Sequence, residues 1–219
     1  MHSMRIVAGA AVALALLSAP FRASAAQPTD VSGIVSQLTA RMDAVSSYKA
    51  HIKLAVRLHS FPFLAADLDG TTSYSRPGHY TVTFDQLPSL ASAFQKVSGD
   101  IGDPAEWTSK YAIAVEPESA STTPNTLTLR LTEKVQGQID HALAFVDLTS
   151  HTVTRMEWYY VNGGRIAMEQ HFAPIDGVLL VDSQAADIDM PGYKATAQAV
   201  FDGYDVQVSM SPTQRTSLR

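Results

Sequence analysis

Two pairs of acidic residues have a spacing that acid–base chemistry could use. Glu116 and Glu118, and likewise Asp187 and Asp189, are two positions apart, so each pair shares one face of an extended strand. A carboxylic acid beside a carboxylate can act as general acid and general base. Both pairs stand beside proline or at the edge of an expected loop, where solvated acidic residues are common. We therefore expect no catalytic residue here, and a hydrolase that uses these pairs stays an alternative.

The histidines do not have the spacing of a metal site. His51 and His59 share a predicted strand, but eight extended residues separate them by about 27 Å. His151 and His171 could meet across a hairpin. The chain has no cysteine, no phosphate-binding loop, no G-x-G-x-x-G motif and no H-E-x-x-H motif. The sequence thus predicts a protein that is not an enzyme and that has no metal or cofactor.

Arg76 is the residue with the most distinctive setting. It stands in "SRPGHY", an Arg-Pro-Gly break between two runs rich in aromatic and β-branched residues. Proline has no backbone N–H to give to a sheet, and glycine adopts the angles of a tight corner, so the break joins two strands. A guanidinium has five donors and stays charged, so Arg76 could hold carbonyl oxygens at a helix end or a lipid head group. The alternative is a surface turn residue.

The N-terminal residues have the pattern of a secretory signal peptide. Arg5 precedes the apolar run Ile6–Ala19, which is too short to span a bilayer, and Ala23 and Ala25 fit a cleavage site. We expect residues 1–25 to be removed, residues 26–211 to form one domain and residues 212–219 to be a flexible tail. We also expect the mature chain to have no membrane-spanning segment and to be periplasmic or secreted.

The charge balance argues against several classes of partner. The sequence contains 16 Lys and Arg against 21 Asp and Glu, a net charge of −5, and loss of Arg5 and Arg22 with the leader makes it −7. A chain this acidic is not expected to bind nucleic acid or an anionic membrane surface. Apolar residues make up 46% and charged residues 17% of the chain, which is typical of a folded domain.

Hydrophobic periodicity predicts one N-terminal helix followed by a series of strands. Asp30 is a good N-cap, and apolar residues recur every three or four positions from Val31 to Val45, which predicts a helix ending near Ser46. Strict alternation then begins and returns in later segments, which are joined by short turns such as the one at Asn162. Strands that follow one another through short turns indicate an antiparallel sheet.

Two further segments could pack on this sheet. Leu87–Val97 has apolar residues at helical spacing, and Pro104–Ser109 could add another helical turn. The sequence therefore predicts an α+β, mainly β fold: an unclosed antiparallel half-barrel of about ten strands, with two or three helices covering the concave apolar face. Helices this short would cover the face loosely and leave a ligand cavity, unless side chains fill it.

Two segments resemble the LolA-like family of periplasmic lipoprotein carriers. "LTARMDAVSSYKAHIKLAV", Leu38–Val56, is similar to the family's N-terminal segment, a helix followed at once by the first strand. Gly70–Phe84 is similar to the family pattern of a Gly, then an Arg-Pro pair, then an aromatic strand. The chain departs from the family after Phe84, where Leu87–Val97 and the acidic loop "GDIGDP" replace a turn and a strand of the carrier.

The resemblance implies an apolar cavity beneath movable lid helices, which holds a lipid or the acyl chains of a lipoprotein. It implies an inner-membrane donor and an outer-membrane acceptor as partners, and it makes Arg76 the residue that holds the lid closed. We expect the ligand to contact Ile52, Leu54, Val56, Arg76, Tyr80, Val82, Phe84, Met156 and Trp158. We expect the lid contacts to be Leu38, Met42, Leu90 and Phe94. The alternative with the same fold is a non-enzymatic envelope sensor or interaction module. In that case the protein's own side chains would fill the cavity.

Overall fold

The computed structural model describes residues 30–60, 64–76, 78–85, 103–116 and 125–208. The expected signal peptide, the expected tail after residue 211 and the predicted helix Leu87–Val97 lie outside these ranges. Within them, two helices and ten strands follow one another along the chain. No helix in the described part is long and apolar enough to cross a membrane.

Helix α1 (Val31–Met42) begins where the sequence predicts. The side chain of Asp30 caps it, because its Oδ1 accepts a hydrogen bond from the backbone N–H of Ser32 at 3.0 Å. One face of the helix is apolar and packs on the rest of the protein. The buried residues of that face are Ile34, Val35 and Leu38.

Helix α1 ends earlier than the sequence pattern predicts. Its last residue is Met42, and the next residue, Asp43, forms the C-cap. Val45, which the pattern placed on the helix, is the first residue of a strand and lies opposite Val208. The predicted end near Ser46 was wrong because the apolar spacing continues from the helix into the strand, so periodicity does not mark the boundary.

Helix α2 (Pro104–Lys110) confirms the helical turn predicted in this region. Asp103 caps it by accepting from the backbone N–H of Ala105 at 2.9 Å. Pro104 occupies the start of the helix, where its missing N–H costs nothing. The chain passes from α2 directly into a strand at Tyr111.

The ten strands form one antiparallel sheet, which confirms the predicted fold class. In chain order they are β1 (Val45–Leu58), β2 (Ala65–Ser75), β3 (His79–Phe84), β4 (Tyr111–Val115), β5 (Thr126–Glu133), β6 (Ile139–Asp147), β7 (Thr152–Tyr160), β8 (Arg165–Ile175), β9 (Val178–Met190) and β10 (Tyr193–Val208). Their order across the sheet is β3-β2-β1-β10-β9-β8-β7-β6-β5-β4.

The sheet is not closed, because β3 and β4 are its two edges. The last strand, β10, lies between β1 and β9, and its centre pairs with β1 in the register Val56 opposite Ala197. Irregularities interrupt the pairing of β1 with β10 after Lys49 and the pairing of β8 with β9 after His171. Such bulges bend a strand and increase its twist, which favours a curved half-barrel over a flat sheet.

The main core lies between the helices and one face of the sheet. Ile34 and Leu38 of α1 and Trp107 of α2 pack there against residues from strands β5 to β10. The sheet residues of this core are Leu129, Leu131, Ala142, Ala144, Val146, Met156, Trp158, Ile166, Ile188 and Ala195. The helices therefore cover the apolar concave face, as the alternation of the strands requires.

Candidate functional site

A cavity of about 320 Å³ lies between the helices and the sheet. Its lining is mostly apolar, and it takes side chains from α1, α2 and several strands. Leu38, Arg41 and Met42 of α1 and Trp107 of α2 form the helical wall. The sheet wall includes Leu54, Val56, Trp158, Ile166, Met168, Leu180, Ile188, Ala197 and Phe201. The cavity is an apolar compartment of the size that proteins use to bind small ligands.

Four tyrosines line one region of this cavity: Tyr48, Tyr74, Tyr80 and Tyr204. The ring of Tyr48 stacks on Tyr74 with centroids 5.5 Å apart, and it meets Tyr204 edge to face at 5.4 Å. The Tyr204 hydroxyl donates to the backbone oxygen of Val181 at 2.5 Å. This region therefore offers an aromatic surface with hydroxyl groups.

The cavity tyrosines are held in their neutral form. Burial raises the pKa of Tyr80 and, together with the neighbouring tyrosines, raises the pKa of Tyr48 well above its usual value. The pKa of Tyr204 is raised in the same way, first by burial and then by the charges that Tyr80 and Asp182 would carry. The site consequently presents neutral phenols near neutral pH.

Arg41 is a charged residue in the wall of the apolar cavity. Its Nη2 donates to the backbone oxygen of Leu179 at 2.5 Å, and its guanidinium lies 5.0 Å above the centre of the Phe172 ring. Burial lowers the pKa of Arg41. These contacts fasten the C-terminal end of α1 to the β8–β9 side of the sheet.

Arg76 holds the same end of α1 from the opposite side. Its Nη1 donates to the backbone oxygen of Asp43 at 3.0 Å, and its Nη2 contacts the Asp43 carboxylate. The backbone N–H of Arg76 donates to Ser46 at 3.0 Å. A cation at a helix C-terminus also interacts favourably with the helix dipole. Arg76 is therefore a link between the β2–β3 corner and α1, and it lies outside the cavity lining.

The β2–β3 corner also approaches α2. Gly78 has a φ of +65°, which glycine adopts without strain, and a Cβ placed there would lie 2.6 Å from Oδ2 of Asp103. Asp103 is the N-cap of α2. Arg76 and Gly78 thus each lie against an end of one described helix, Arg76 at the C-terminal end of α1 and Gly78 at the N-terminal end of α2.

Gly70, the glycine of the family pattern, has a packing role. It lies opposite Phe84 in the β2–β3 pairing. A Cβ at Gly70 would lie 2.3 Å from the backbone oxygen of Thr83 and 2.9 Å from the Phe84 ring. A side chain at this position would require the paired strand to shift, because the backbone oxygen of Thr83 and the Phe84 ring occupy the space.

The predicted ligand and lid residues occupy several different places. Those that line the cavity are Leu38, Met42, Leu54, Val56, Tyr80 and Trp158. Ile52, Val82 and Phe84 instead pack with Phe201 in a neighbouring apolar cluster. Met156 is only 3% exposed and belongs to the core, while Arg76 contacts the end of α1. Leu90 and Phe94 lie outside the described residues.

The sequence contains a signal for two cavity-lining residues that were not predicted. Arg41 follows Leu38 by three positions, so it lies on the apolar face of α1, where an arginine is unexpected. Trp107 is 3% exposed and is the central apolar residue of α2. Tyr204 and the β9 residues had no such signal, because strand alternation does not show which part of a face stays open.

Of the two acidic pairs that the hydrolase alternative would use, the structure fully describes the pair of Asp187 and Asp189. Asp187 and Asp189 lie in strand β9, and Asp189 pairs with Lys194 at 2.7 Å. Glu116 is described, whereas Glu118 lies outside the described residues. Within the described part of the chain, no group of three or more His, Asp and Glu side chains could hold a metal ion.

Solved structures with the same fold are found, although sequence comparison finds no relative. No protein-family model matches the chain, and no curated protein matches it. A DUF1329 family protein from Desulfovibrio piger is 12% identical, with a TM-score of 0.61 over 86% of this chain and 99% of its own. A LolA superfamily protein from Nitrosomonas europaea is also 12% identical, with a TM-score of 0.56 over 84% of this chain and 95% of its own.

A third solved structure carries a functional name. It is a domain from Vibrio parahaemolyticus whose proposed role is outer membrane lipoprotein sorting. It is 10% identical to this chain, with a TM-score of 0.61 over 85% of this chain and 96% of its own. Together the three likenesses show that the chain has a LolA-like fold, which confirms the resemblance seen in Leu38–Val56 and Gly70–Phe84 at the level of the fold.

Proposed function

We propose that this protein is a carrier that binds a lipid, or the acyl chains of a lipoprotein, in the cavity beneath α1. The observation that supports it is the apolar cavity of about 320 Å³ itself. Burial of acyl methylenes is worth about 0.8 kcal/mol each, so a chain of moderate length binds without any polar contact. The Vibrio parahaemolyticus domain of the same fold, with its proposed role in lipoprotein sorting, supports the same interpretation.

In this proposal helix α1 is the movable part of the carrier. Its C-terminal end is held by two arginine contacts, Arg41 to Leu179 and Arg76 to Asp43, and neither partner is a core residue. Breaking these contacts frees that end of the helix at low cost, because exposed ion pairs and single hydrogen bonds contribute little. Ligand uptake and release then follow from opening and closing of α1.

The cellular location of the carrier is inferred from the N-terminus, which resembles a signal peptide. Export to the periplasm would place the protein between two membranes, with an inner-membrane donor of the lipid and an outer-membrane acceptor. The acidic surface expected for the mature chain would limit adhesion to anionic membranes between the two encounters.

Intrinsic fluorescence tests ligand binding directly. Both tryptophans of the chain, Trp107 and Trp158, line the cavity. A brominated fatty acid bound in the cavity should quench them at a stoichiometry of one, and native mass spectrometry of protein purified from the periplasm should show a co-purified lipid. Absence of both quenching and bound lipid would end the carrier proposal.

A cavity-filling variant and a matched control locate the binding. Ala197 lines the cavity, so Ala197→Phe should fill it and weaken fatty-acid binding about tenfold or more, since several methylenes lose their space. Val200 lies on the same strand and is 51% exposed, so Val200→Phe should bind like the unmodified protein. Equal binding by both variants would place the ligand outside this cavity.

A further inference from the structure

Arg41 places a fixed positive charge in the wall of the apolar cavity. Among the described residues, its one hydrogen bond is to a neutral acceptor, the backbone oxygen of Leu179, and its flat face rests on Phe172. A guanidinium has five donor hydrogens, so this single bond leaves most of its donor capacity unused. Desolvating a cation is costly unless a partner compensates the charge.

The charged neighbours along the cavity do not supply that partner. Across the described residues, no carboxylate lies within ion-pair distance of Arg41. Two acidic side chains line the cavity, and both have other partners: Asp103 caps α2, and Glu106 pairs with Lys110 at 2.6 Å. The charge of Arg41 is therefore available to a ligand.

We propose that Arg41 binds the anionic head group of a single-chain amphiphile whose tail fills the apolar cavity. The head group is a carboxylate, as in a long-chain fatty acid, or a phosphate, as in a lysophospholipid. Both accept two parallel hydrogen bonds from the planar guanidinium, which a lysine could not reproduce. This inference rests on the proposed function and names the class of ligand for the same cavity.

The shape and composition of the cavity favour one chain. Its volume of about 320 Å³ is at the small end of the range for ligand pockets, which suits one tail better than two. The neutral tyrosines Tyr48, Tyr80 and Tyr204 add no competing positive charge. Lys110, another cation of the lining, is paired with Glu106 at 2.6 Å, whereas Arg41 has no acidic partner among the described residues, so Arg41 is the group we expect to distinguish an anionic lipid from an uncharged one of equal length.

The test compares ligands on the unmodified protein first. Palmitate, 16-carbon lysophosphatidic acid and hexadecanol have equal chain length, and displacement of a brominated fatty acid from the tryptophans reports the affinity of each. At least one anionic ligand should bind about tenfold tighter than hexadecanol, the effect of a charge-assisted hydrogen bond. Preference for palmitate identifies a carboxylate as the head group, and preference for the lysolipid identifies a phosphate.

Variants of Arg41 separate charge recognition from support of the helix. Arg41→Gln should remove the preference, so that the anionic ligand and hexadecanol bind this variant with affinities within about twofold of each other. Arg57→Gln, at an exposed ion pair with Asp67, is the matched control and should keep the preference. Equal binding of all three ligands to the unmodified protein would overturn the role of Arg41 while the carrier proposal stands. Failure of all three to bind would overturn both.

Discussion

Arg76 donates from Nη1 to the backbone oxygen of Asp43 at 3.0 Å, so a strand corner is hydrogen-bonded to the residue that ends helix α1. The same guanidinium contacts the Asp43 carboxylate through Nη2. Both side chains are partly exposed, at 39% and 53%, so the contact is accessible to water and can break without disturbing the core. Such a contact suits a latch better than a structural brace, because it adds little to stability while fixing the position of the helix end.

Loss of this contact should change ligand kinetics more than stability. Arg76→Gln should lower the free energy of unfolding by at most about 1 kcal/mol, the range of an exposed ion pair. It should speed fatty-acid association severalfold, because α1 opens more often when its C-terminal end is released. Urea denaturation measures the first quantity, and stopped-flow quenching of the cavity tryptophans measures the second.

The control for this experiment is another exposed ion pair. Arg57 pairs with Asp67 at 2.7 Å across the neighbouring strands β1 and β2, and the hydrogen bonds of Arg57 go to Val56, Ala66 and Asp67 rather than to α1. Arg57→Gln should cost a similar amount of stability and leave the association rate unchanged. If both variants speed association equally, or if neither does, Arg76 does not act as a latch.

Alkaline pH should destabilise the protein through the cavity tyrosines. Burial raises the pKa of Tyr48 well above 10 in the folded state, so folding favours the protonated phenol. This contribution is complete below the unfolded pKa of about 10 and is lost as pH rises through the folded pKa. Tyr48→Phe should keep the ring packing and flatten the fall in stability above about pH 10. Urea denaturation midpoints measured across this pH range are the test. If the stability of Tyr48→Phe falls as steeply with pH as that of the unmodified protein, Tyr48 is not the cause.

The sequence was sufficient for features that depend on local spacing. Alternation identified the strands, Asp30 identified the start of α1, and the Gly70–Phe84 pattern identified a strand pair whose glycine lies under an aromatic ring. The antiparallel arrangement followed from short connections. Each of these features is set by residues that are close in the chain, so periodicity and turn chemistry report them.

The extent of the open cavity depends on residues that are far apart in the chain, so local spacing could not predict it. Ile52 and Leu54 share a face of β1 and belong to the same apolar cluster as Phe201 and Phe84, yet Leu54 lines the cavity and Ile52 does not. Phe201 reaches Ile52 because β10 returns to pair with β1. Alternation shows which face a side chain joins, and only the neighbours across the sheet decide whether space remains there.

A side chain at Gly70 should weaken the protein without touching the cavity. Gly70→Ala places a Cβ against the backbone oxygen of Thr83 and the ring of Phe84, an overpacking that costs about 1–3 kcal/mol. Thr71→Ala, at the next and exposed position of β2, should change stability by less than about 0.5 kcal/mol. Urea denaturation of both variants is the measurement. Equal stability of the two would show that the strand pair can move to accept the methyl group.

Acid sensitivity should come from Glu157, a buried carboxylate on β7 that is 5% exposed. Burial acts to raise its pKa, but the Tyr159 hydroxyl at 2.5 Å, Arg165 at 3.0 Å and the charge of Arg155 outweigh burial and leave the pKa lowered. A lowered folded pKa stabilises the protein above the unfolded value of 4.5, and this stability is lost as pH falls through the folded pKa.

Replacing this carboxylate should therefore lower the free energy of unfolding near pH 7 and change it much less in acid. Glu157→Gln removes the carboxylate that Arg155 and Arg165 share and leaves the exposed Glu169 as the carboxylate beside Arg155, which should cost about 3 kcal/mol at pH 7 and less at pH 3. Glu169→Gln is the control, since that carboxylate is 61% exposed and lies 3.5 Å from Arg155, so it should cost at most about 1 kcal/mol. A Glu157→Gln penalty that is the same at both pH values would mean that packing around the side chain, and not its charge, stabilises this face of the sheet.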